Sequence, residues 1–427
     1  MSVRVSGRGP RVVLIAPELP PSGAGGIASA TLHLALGLLR NGCEVHVLTW
    51  LDRDHAPGAA EAAGVAVHRL TNPVLVQLLH RAVDKVARTA HRIVTRDPES
   101  QAYGWSRDLR GAATLGLVAQ WGWFQNCDVV AAPEWGGASY LFRSGGVRGV
   151  RVAMLHGSLY SHDHRYWPHI RSAGWDVRVS TWVEHSGVEA ADVVMAPSQE
   201  AASDARRWLG VTKPISVVPD CIDLEYVDGV VGAAIGGAHS VEDEFRVVFT
   251  GRVDNVKGAD TLDAVVGLLR QNPPQWPIRV VVVGPCADIS RYQQLSTPRA
   301  DRVTVELPGP MQMDEVLRQL AQAQAYILPS RAETFCMGVL EAMAVGLPIL
   351  AAPAGAIPDL VRQRWCGFVI DADDAPAYAS ALRQLAEDHR LRSQMGASAR
   401  LTVEEGYDSR AVAREWLRVC GFETSHE

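Results

Sequence analysis

Short apolar runs alternate with amphipathic stretches along the whole chain. Near its start, the run RVVLIAP is followed by a glycine-rich loop, by the helical pattern IASATLHLALGLLRNG and by a second run, CEVHVLTW. Continuous apolar runs of this kind are typical of parallel strands that are buried on both faces of a sheet. The pattern therefore predicts a strand–helix–strand unit at the start of the chain.

Two series of such runs follow one another. The first half contains further predicted strands at VAVHRL, CDVVAAP, VRVAMLHGS, ADVVMAPS and ISVVPD. The second half contains predicted strands at FRVVFTG, IRVVVVG, RVTVELPG, QAYILPS, LPILAAP and GFVID. Because helical patterns separate most of them, we predict an α/β protein with two doubly wound, Rossmann-like domains. Two such domains in tandem are expected to face each other across a cleft at the carboxyl ends of their strands.

The glycine- and alanine-rich stretch GVVGAAIGGAHS, residues 229–240, has no clear period and is interpreted as part of an interdomain linker. We therefore expect an N-terminal domain over residues 1–228 and a C-terminal domain over residues 229–405. The last segment, 406–427, contains the helical pattern YDSRAVAREWLRVC. We expect this helix to pack back on the N-terminal domain.

Composition and charge narrow the class of protein. The chain has 427 residues, 47% hydrophobic and 21% charged, with a net charge of −6, as in an ordinary folded protein. Its seven cysteines are scattered without a CxxC pair, which indicates reduced thiols rather than disulfides or zinc. The apolar run at the N-terminus is too short for a signal peptide, and we expect a cytoplasmic protein. Neither half is basic enough to predict nucleic-acid binding.

Two glutamates stand eight positions apart in SRAETFCMGVLEAMAVGLPIL, residues 330–350. The pattern predicts a short buried helix over 337–345, with Glu333 in the loop before it and Glu341 within it. At a rise of about 1.5 Å per residue the two lie roughly 12 Å apart. Glycosidase carboxylates lie only about 5–9.5 Å apart, so this spacing suits two anchors at the ends of one long polar ligand. The alternative is a dipole partner at the helix start and one solvated glutamate.

Two cations stand in the loop GRVDNVKG, directly after the predicted strand FRVVFT. Arg252 and Lys257 in this loop precede the helical pattern ADTLDAVVGLLRQ. Cations beside a helix N-terminus form a site for phosphate. Basic loop residues are also common on ordinary surfaces, so the loop by itself leaves both interpretations open.

In combination, these features resemble the donor domain of glycosyltransferase family 4. The shared order is strand, GRVDNVKG and helix, then strand, LPS, a loop glutamate, seven residues, a second glutamate and AMAVGLPIL. Members of this family are retaining enzymes of the GT-B fold that use nucleotide sugars. The resemblance covers most of residues 240–405 and, more loosely, the first domain. It implies a nucleoside-diphosphate sugar as co-substrate and no further cofactor.

The resemblance also implies roles for individual residues. Glu341 would bind the ribose hydroxyls of the donor, and Glu333 would face the transferred sugar. Arg252 and Lys257 would stabilise the charge on the leaving phosphate, and backbone near Leu307 would read the base. Backbone N–H groups at the helix start would hold the sugar hydroxyls and the diphosphate; the residues concerned are Thr334, Phe335, Cys336, Met337 and Gly338.

The loop PPSGAGGIASA contains G-x-G-x-x-A at 23–28, the dinucleotide-binding fingerprint, and Asp52 follows the next predicted strand. An NAD-dependent enzyme is therefore a rival interpretation. However, the glycines come seven residues after the strand, which removes the tight phosphate turn. Gly25 and Gly26 instead resemble the mobile family loop that approaches the donor diphosphate. A purely structural turn is the third alternative.

Several residues of the first half are candidates for acceptor binding. His156 ends the run VAMLHGS, where the family often has a histidine beside the transferred sugar. Glu134 and Trp135 end another predicted strand, and His162 and Asp163 lie in the segment SHDHRYWPH. Packing or solvated positions are the alternatives. A metal site in SHDHRYWPH is a further alternative, although its spacing fits no common motif.

The D-x-D signature that binds metal and diphosphate in the other large glycosyltransferase fold occurs twice. The pairs, Asp52–Asp54 and Asp371–Asp373, do not adjoin the phosphate loop, and we interpret both as chance. We therefore expect no metal, because Arg252 and Lys257 can take its place.

Residues 74–96 form an amphipathic pattern with a basic stripe. The apolar face carries Leu75, Leu79, Val86 and Ile93, and the basic stripe carries Arg81, Lys85, Arg88, Arg92 and Arg96. Such a helix can lie on an anionic membrane, which would place the protein at the inner membrane face. An ordinary surface helix with a solvated charged face is the alternative.

One turn departs from the family pattern. Where members commonly read PNG, a hydrophobic residue and Asp, this chain has PDCID, so that Asp220 and Cys221 replace Asn and Gly. The geometry of that turn and any role in donor closure are left open. The resemblance implies a retaining glycosyltransferase acting on a sugar, cyclitol, natural-product or lipid-linked acceptor. The alternatives are a GT-B sugar-nucleotide epimerase, a non-catalytic nucleotide-sugar-binding protein and the NAD-dependent enzyme.

Overall fold

The chain divides into two compact α/β units. The computed structural model describes residues 9–21, 25–50, 58–70, 78, 81–82, 85–86, 89, 103–120, 122–157, 175–235, 244–272, 275–286 and 302–423. The first unit comprises Met1–Asp220 with Ser409–Glu427, and the second comprises Cys221–Asp408.

The predicted boundary at 228/229 is therefore wrong, because it falls inside a helix that runs over Leu224–Ile235. Asp223 starts this helix by accepting a hydrogen bond from the Tyr226 N–H at 2.8 Å, and an N-terminal cap of this kind stabilises the first turn. The first seven residues of the predicted linker, 229–235, are consequently helical. The remainder of the predicted linker, 236–240, lies outside the described residues.

The first unit consists of strands that alternate with helices. Its strands are β1 (Arg11–Ala16), β2 (Glu44–Thr49), β3 (Ala66–Arg69), β4 (Val129–Pro133), β5 (Val150–Met154), β6 (Val193–Ala196) and β7 (Ser216–Val217). Its helices are α1 (Gly26–Arg40), α2 (Ala59–Ala62), α3 (Tyr103–Gln120), a 3₁₀ segment (Trp135–Arg143), α4 (Trp175–Ala190), α5 (Gln199–Asp204) and a π-helical turn (Ala205–Leu209).

All seven strands form one parallel sheet with the order β3-β2-β1-β4-β5-β6-β7. The chain builds outward from β1 in one direction and then continues on its other side, so the switch point lies between β1 and β4. The last helix, α13 (Ser409–Val419), belongs to this unit and packs on α1. Gly37 of α1 permits the contact, because a Cβ there would lie 2.3 Å from the carbonyl oxygen of Ser409.

The second unit repeats the same plan. Its strands are β8 (Phe245–Thr250), β9 (Ile278–Val283), β10 (Val303–Gly309), β11 (Ala325–Leu328), β12 (Ile349–Ala351) and β13 (Gly367–Val369). Its helices are α6 (Leu224–Ile235), α7 (Ala259–Gln271), α8 (Met313–Ala321), α9 (Met337–Ala344), α10 (Ile357–Arg362), α11 (Ala375–Glu387) and α12 (His389–Gly406). The parallel strand order is β10-β9-β8-β11-β12-β13, with the switch point between β8 and β11.

The predicted strands are confirmed in both units, and so is the fold class of two doubly wound, parallel-sheet domains. Strands such as β4 and β11 are buried at every residue, as expected for a parallel sheet with helices on both faces. The predicted helix at 337–345 is confirmed as α9. Over the described ranges, no helix is long and apolar enough to cross a bilayer.

Candidate active site

The central feature of the second unit is its switch point, where the loops after β8 and β11 meet. In open parallel sheets, ligands bind at the carboxyl ends of the strands at this position. The loop after β8 carries Arg252 and Lys257, and the loop after β11 carries Glu333. Sheet order therefore brings together three of the residues that the sequence singled out.

Lys257 and Glu333 form an ion pair between these two loops. Lys257 Nζ lies 2.6 Å from Glu333 Oε1, and the side chains are only 22% and 8% exposed. Burial by itself would lower the pKa of Lys257, but the charge of Glu333 and the hydrogen bond to it outweigh burial and raise this pKa. The ammonium group is therefore charged at neutral pH, and the carboxylate fixes its direction.

Close backbone contact holds the two loops in this arrangement. Gly258, directly after Lys257, has a φ of 75°, and a Cβ there would lie 2.0 Å from the carbonyl oxygen of Pro329. The Lys257 N–H donates to Asp254 Oδ1 at 2.9 Å, which shapes the loop from within. A residue other than glycine at 258 would push the loops apart and lengthen the ion pair.

Arg252 is the more exposed of the two cations. Its side chain is 50% exposed, and Nη2 lies 3.4 Å from Asp254 Oδ2. An exposed pair at this distance contributes little to stability. The guanidinium is therefore accessible to an anion from solvent.

The start of α9 lies at the carboxyl end of the central strands. Cys336 occupies the N-cap position with a φ of 89°, a conformation that side chains other than glycine rarely adopt. Gly338 follows in the first turn, and a Cβ there would lie 2.6 Å from Tyr326 Oη and 2.8 Å from Thr250 Oγ1. These two hydroxyls are 2.8 Å apart, so that a hydrogen bond between β8 and β11 supports the helix start from below.

The remaining residues around this helix are packed. Phe335 and Met337 are buried, and the Phe335 ring lies 6.0 Å from the Tyr407 ring, between centroids. Thr334 is half-buried in the loop. The side chains of Phe335 and Met337 thus anchor the segment, and their contribution to a ligand would come from the backbone. Leu307, also half-buried, lies in β10 at an irregularity between Glu306 and Gly309.

Glu341 lies on α9 and is buried, with 8% of its surface exposed. Its charge raises the pKa of Tyr226, after the larger effects of burial and of a hydrogen bond to Asp314. The side chain of Tyr226 on α6 therefore lies near Glu341, and its hydroxyl donates a hydrogen bond to Asp314 on α8. Sequence reasoning missed both residues, since neither belongs to a recognisable motif.

In the first unit, Glu134 and His156 lie at neighbouring strand ends. The Glu134 carboxylate is 1% exposed and accepts backbone N–H groups from Trp135 at 3.2 Å, His156 at 2.9 Å and Gly157 at 2.8 Å. Burial raises the pKa of Glu134, against the effect of the His156 charge and of these hydrogen bonds. With both oxygens engaged by the backbone, Glu134 is placed to position the His156 turn rather than to bind an acceptor directly.

Other predicted site residues of this unit differ in accessibility. Trp135 packs partly buried against the core of the unit. Gly25 caps the start of α1, and both it and Gly26 are exposed. Burial raises the pKa of Asp220, whereas the charge of His156 lowers it, so Asp220 lies near this histidine, while Cys221 is buried.

The remaining predicted residues lie partly outside the described ranges. His162, Asp163 and the pair Asp52–Asp54 lie outside the described residues. Most of the basic stripe at 74–96 does so too, although residues 78, 81, 82, 85, 86 and 89 are helical and exposed. In the second D-x-D pair, Asp373 Oδ1 accepts a hydrogen bond from Arg331 Nε at 3.1 Å.

Family models match both units of the chain. A model described as "Glycosyltransferase Family 4" matches residues 24–226, and one described as "Glycosyl transferases group 1" matches residues 244–388. The chain is also similar to a D-inositol 3-phosphate glycosyltransferase of Pseudarthrobacter chlorophenolicus, with 25% identity over 93% of this chain and 90% of the relative. An enzyme of the same name from Streptomyces scabiei is 29% identical, over 53% of each chain.

Solved structures show the same fold. Sucrose-phosphate synthase from Thermosynechococcus elongatus has a TM-score of 0.69 and 19% identity, covering 96% of this chain and 98% of its own. Anabaena HepE, solved in complex with UDP-glucose, has a TM-score of 0.63 and 18% identity over the same shares of the two chains. Identities this low carry the fold alone. The two family models and the shared fold together show that the chain belongs to the family 4 glycosyltransferases of the GT-B fold.

Proposed function

We propose that the protein is a retaining glycosyltransferase that moves a sugar from a nucleoside-diphosphate sugar to an acceptor hydroxyl without a metal ion. The buried pair of Lys257 and Glu333 carries this proposal. It places a fixed cation and a fixed carboxylate side by side at the switch point of the second sheet, next to the start of α9. In a nucleoside-diphosphate sugar the diphosphate and the sugar are likewise neighbours, so the cation would face the diphosphate and the carboxylate would face the sugar.

The phosphate end of the donor would meet positive charge from three sources. Lys257 supplies a charged ammonium group, Arg252 an exposed guanidinium, and the start of α9 the backbone N–H groups of its first turn. Fixed donors and charges of this kind stabilise the negative charge that grows on a leaving diphosphate. This is the role that a metal ion has in other glycosyltransferases, which is why we propose a metal-independent reaction.

The reaction would proceed at the front face of the sugar. The bond between the anomeric carbon and the diphosphate oxygen breaks, and a bond from the same carbon to the acceptor oxygen forms on the same side. The acceptor proton passes to the departing phosphate oxygen, so that no protein base is required. Glu333, held in place by Lys257, would accept hydrogen bonds from the sugar and favour positive charge at the anomeric carbon.

The substrates are proposed from the relatives. One solved structure of the same fold is a complex with UDP-glucose, so a UDP-sugar is the first donor to examine. Relatives over nearly the full chain are named D-inositol 3-phosphate glycosyltransferase, so a phosphorylated cyclitol is the first acceptor. On the acceptor side, His156 would contribute its ring, from a turn whose backbone N–H groups donate to Glu134.

A donor and acceptor screen tests this function. UDP- and GDP-sugars are incubated with inositol phosphates and free sugars in excess EDTA, and the product anomer is determined by NMR. We expect transfer with retention and full turnover in EDTA. An inverted product, or activity restored only by Mg²⁺ or Mn²⁺, would contradict the mechanism. An epimer formed from the donor alone would instead favour the epimerase.

A further inference from the structure

The phenol of Tyr226 lies close enough to Glu341 for the charge of that carboxylate to act on it, within the unit that carries the proposed donor site. Tyr226 is in the first turn of α6, and α6 packs on α8. Helix α8 in turn contacts α9, which carries Glu341. The side chain is partly buried, so that its hydroxyl lies within the unit rather than in bulk solvent.

The hydroxyl proton of Tyr226 is directed at a carboxylate. The phenol donates a short hydrogen bond to Asp314 Oδ1, and Asp314 Oδ2 lies 3.7 Å from Arg318 Nη2. Burial raises the pKa of Tyr226, and the hydrogen bond and the charges of Asp314 and Glu341 raise it further. The phenol is therefore neutral at physiological pH. Its hydroxyl proton stays on the phenol oxygen and is hydrogen-bonded to the Asp314 carboxylate.

This arrangement limits what the phenol can offer a ligand. A phenol whose proton is already donated can act toward a further group only as an acceptor. The nearby Glu341 carboxylate is likewise an acceptor only. Together they present two acceptors in one region, and two neighbouring hydroxyl donors are the complement. A ribose carries such a pair at its 2′ and 3′ positions.

We propose that Tyr226 is a second ribose-binding residue, with one hydroxyl of the ribose diol donating to the Tyr226 oxygen and the other to Glu341. The inference rests on the proposed function, in which Glu341 binds the donor ribose. Asp314 is a positioning residue, because it acts through the phenol. A deoxyribose leaves one of the two acceptors without a donor, so the pair selects ribonucleotides over their deoxy analogues.

Calorimetric titration of the full chain tests the proposal. The ligands are UDP and GDP with their 2′-deoxy and 3′-deoxy analogues, and the variant is Tyr226→Phe. We expect the variant to bind the better ribonucleotide about 3- to 10-fold more weakly than the wild type. It should bind one of the two deoxy analogues as tightly as the wild type does. In turnover, the donor KM should rise with little change in kcat.

Tyr378→Phe is the matched control. The Tyr378 hydroxyl donates to the carbonyl oxygen of Ile370 at 3.2 Å, within the same unit and apart from the donor site residues. Its removal should leave nucleotide affinity unchanged. An equal loss of affinity for all analogues in Tyr226→Phe, or no loss at all, overturns the role of Tyr226.

The Glu341→Gln variant separates this inference from the proposed function. If Glu341→Gln weakens binding of the ribonucleotide and Tyr226→Phe does not, the ribose contact of Tyr226 is wrong while the donor site stands. If Glu341→Gln has no effect, or the wild type binds neither UDP nor GDP, the donor site itself is wrong, and the role of Tyr226 is overturned with it.

Discussion

Lys257 Nζ lies 2.6 Å from Glu333 Oε1, so that a cation from the loop after β8 and a carboxylate from the loop after β11 neutralise each other. From the sequence, these residues were candidates for separate contacts, one with the phosphate and one with the sugar. In the structure they form one ion pair. In the proposed donor site a diphosphate would share Lys257 with Glu333, and the carboxylate would orient the cation before the donor binds.

The two glutamates are expected to affect different kinetic constants. Glu333→Gln should lower kcat with little change in the donor KM, because its interaction strengthens as positive charge develops on the sugar. Glu341→Gln should raise the donor KM with a smaller loss in kcat, because it removes ground-state binding. A charged hydrogen bond contributes about 1.5–3 kcal/mol, or roughly 10- to 150-fold in either constant. Steady-state kinetics on both variants provide the measurement.

Melting curves must first show that both variants fold. Calorimetry with UDP and GDP then supplies an independent comparison. Normal nucleotide affinity in Glu341→Gln, combined with weak affinity in Glu333→Gln, would mean that the two ends of the donor are assigned in reverse.

Breaking the ion pair from the lysine side should destabilise the second unit. Lys257→Met leaves the Glu333 carboxylate buried without its partner, and we expect the free energy of unfolding to fall by about 3 kcal/mol. The double variant Lys257→Met/Glu333→Gln should recover most of this loss, since no buried charge remains. Urea denaturation gives both values. Arg418→Met removes an exposed pair with Glu415 and should have little effect. A double variant no more stable than Lys257→Met would contradict this account.

Glu134 should make stability depend on pH in an unusual direction. Its pKa is raised in the folded state, above the value of about 4.3 expected in the unfolded chain. Its contribution to the free energy of unfolding is therefore fully present below that unfolded pKa and is lost as the pH rises through the folded pKa. Glu134→Gln does not titrate at this position. The stability of the wild type minus that of the variant should thus decrease from pH 4 to pH 8.

Urea denaturation of both proteins across this pH range measures the difference, and the other titrating groups are common to both. A difference that increases with pH would show that the three backbone N–H groups outweigh burial and lower the pKa of Glu134.

The positive φ of Cys336 should reverse the usual ranking of glycine and alanine within a helical segment. At a φ of 89°, alanine carries the same backbone strain as cysteine, whereas glycine does not. We expect Cys336→Gly to be more stable than Cys336→Ala by about 1 kcal/mol, measured by thermal unfolding. Both variants lose the buried thiol, so their comparison isolates the backbone. Equal stability of the two would show that the segment relaxes to a negative φ.

The local features of this protein followed from its sequence. The apolar runs predicted strands such as β1 and β8, because burial on both faces of a parallel sheet demands continuous apolar residues. Gly346 and the proline after it indicated where α9 ends, since neither continues a helix readily. The spacing of Glu333 and Glu341 around the start of α9 is likewise a property of one short segment.

Tertiary structure decided the pairings between distant segments. Lys257 and Glu333 are 76 positions apart, and Tyr226 and Asp314 are 88 apart. The first pair forms because the strand order places β11 beside β8, and the second because α6 packs on α8. Local periodicity reports which face of an element is buried, but not which element covers it. Glu134 shows the same limit: its residue type suggested a ligand contact, and only the neighbouring strand end supplied the backbone N–H groups that bind it.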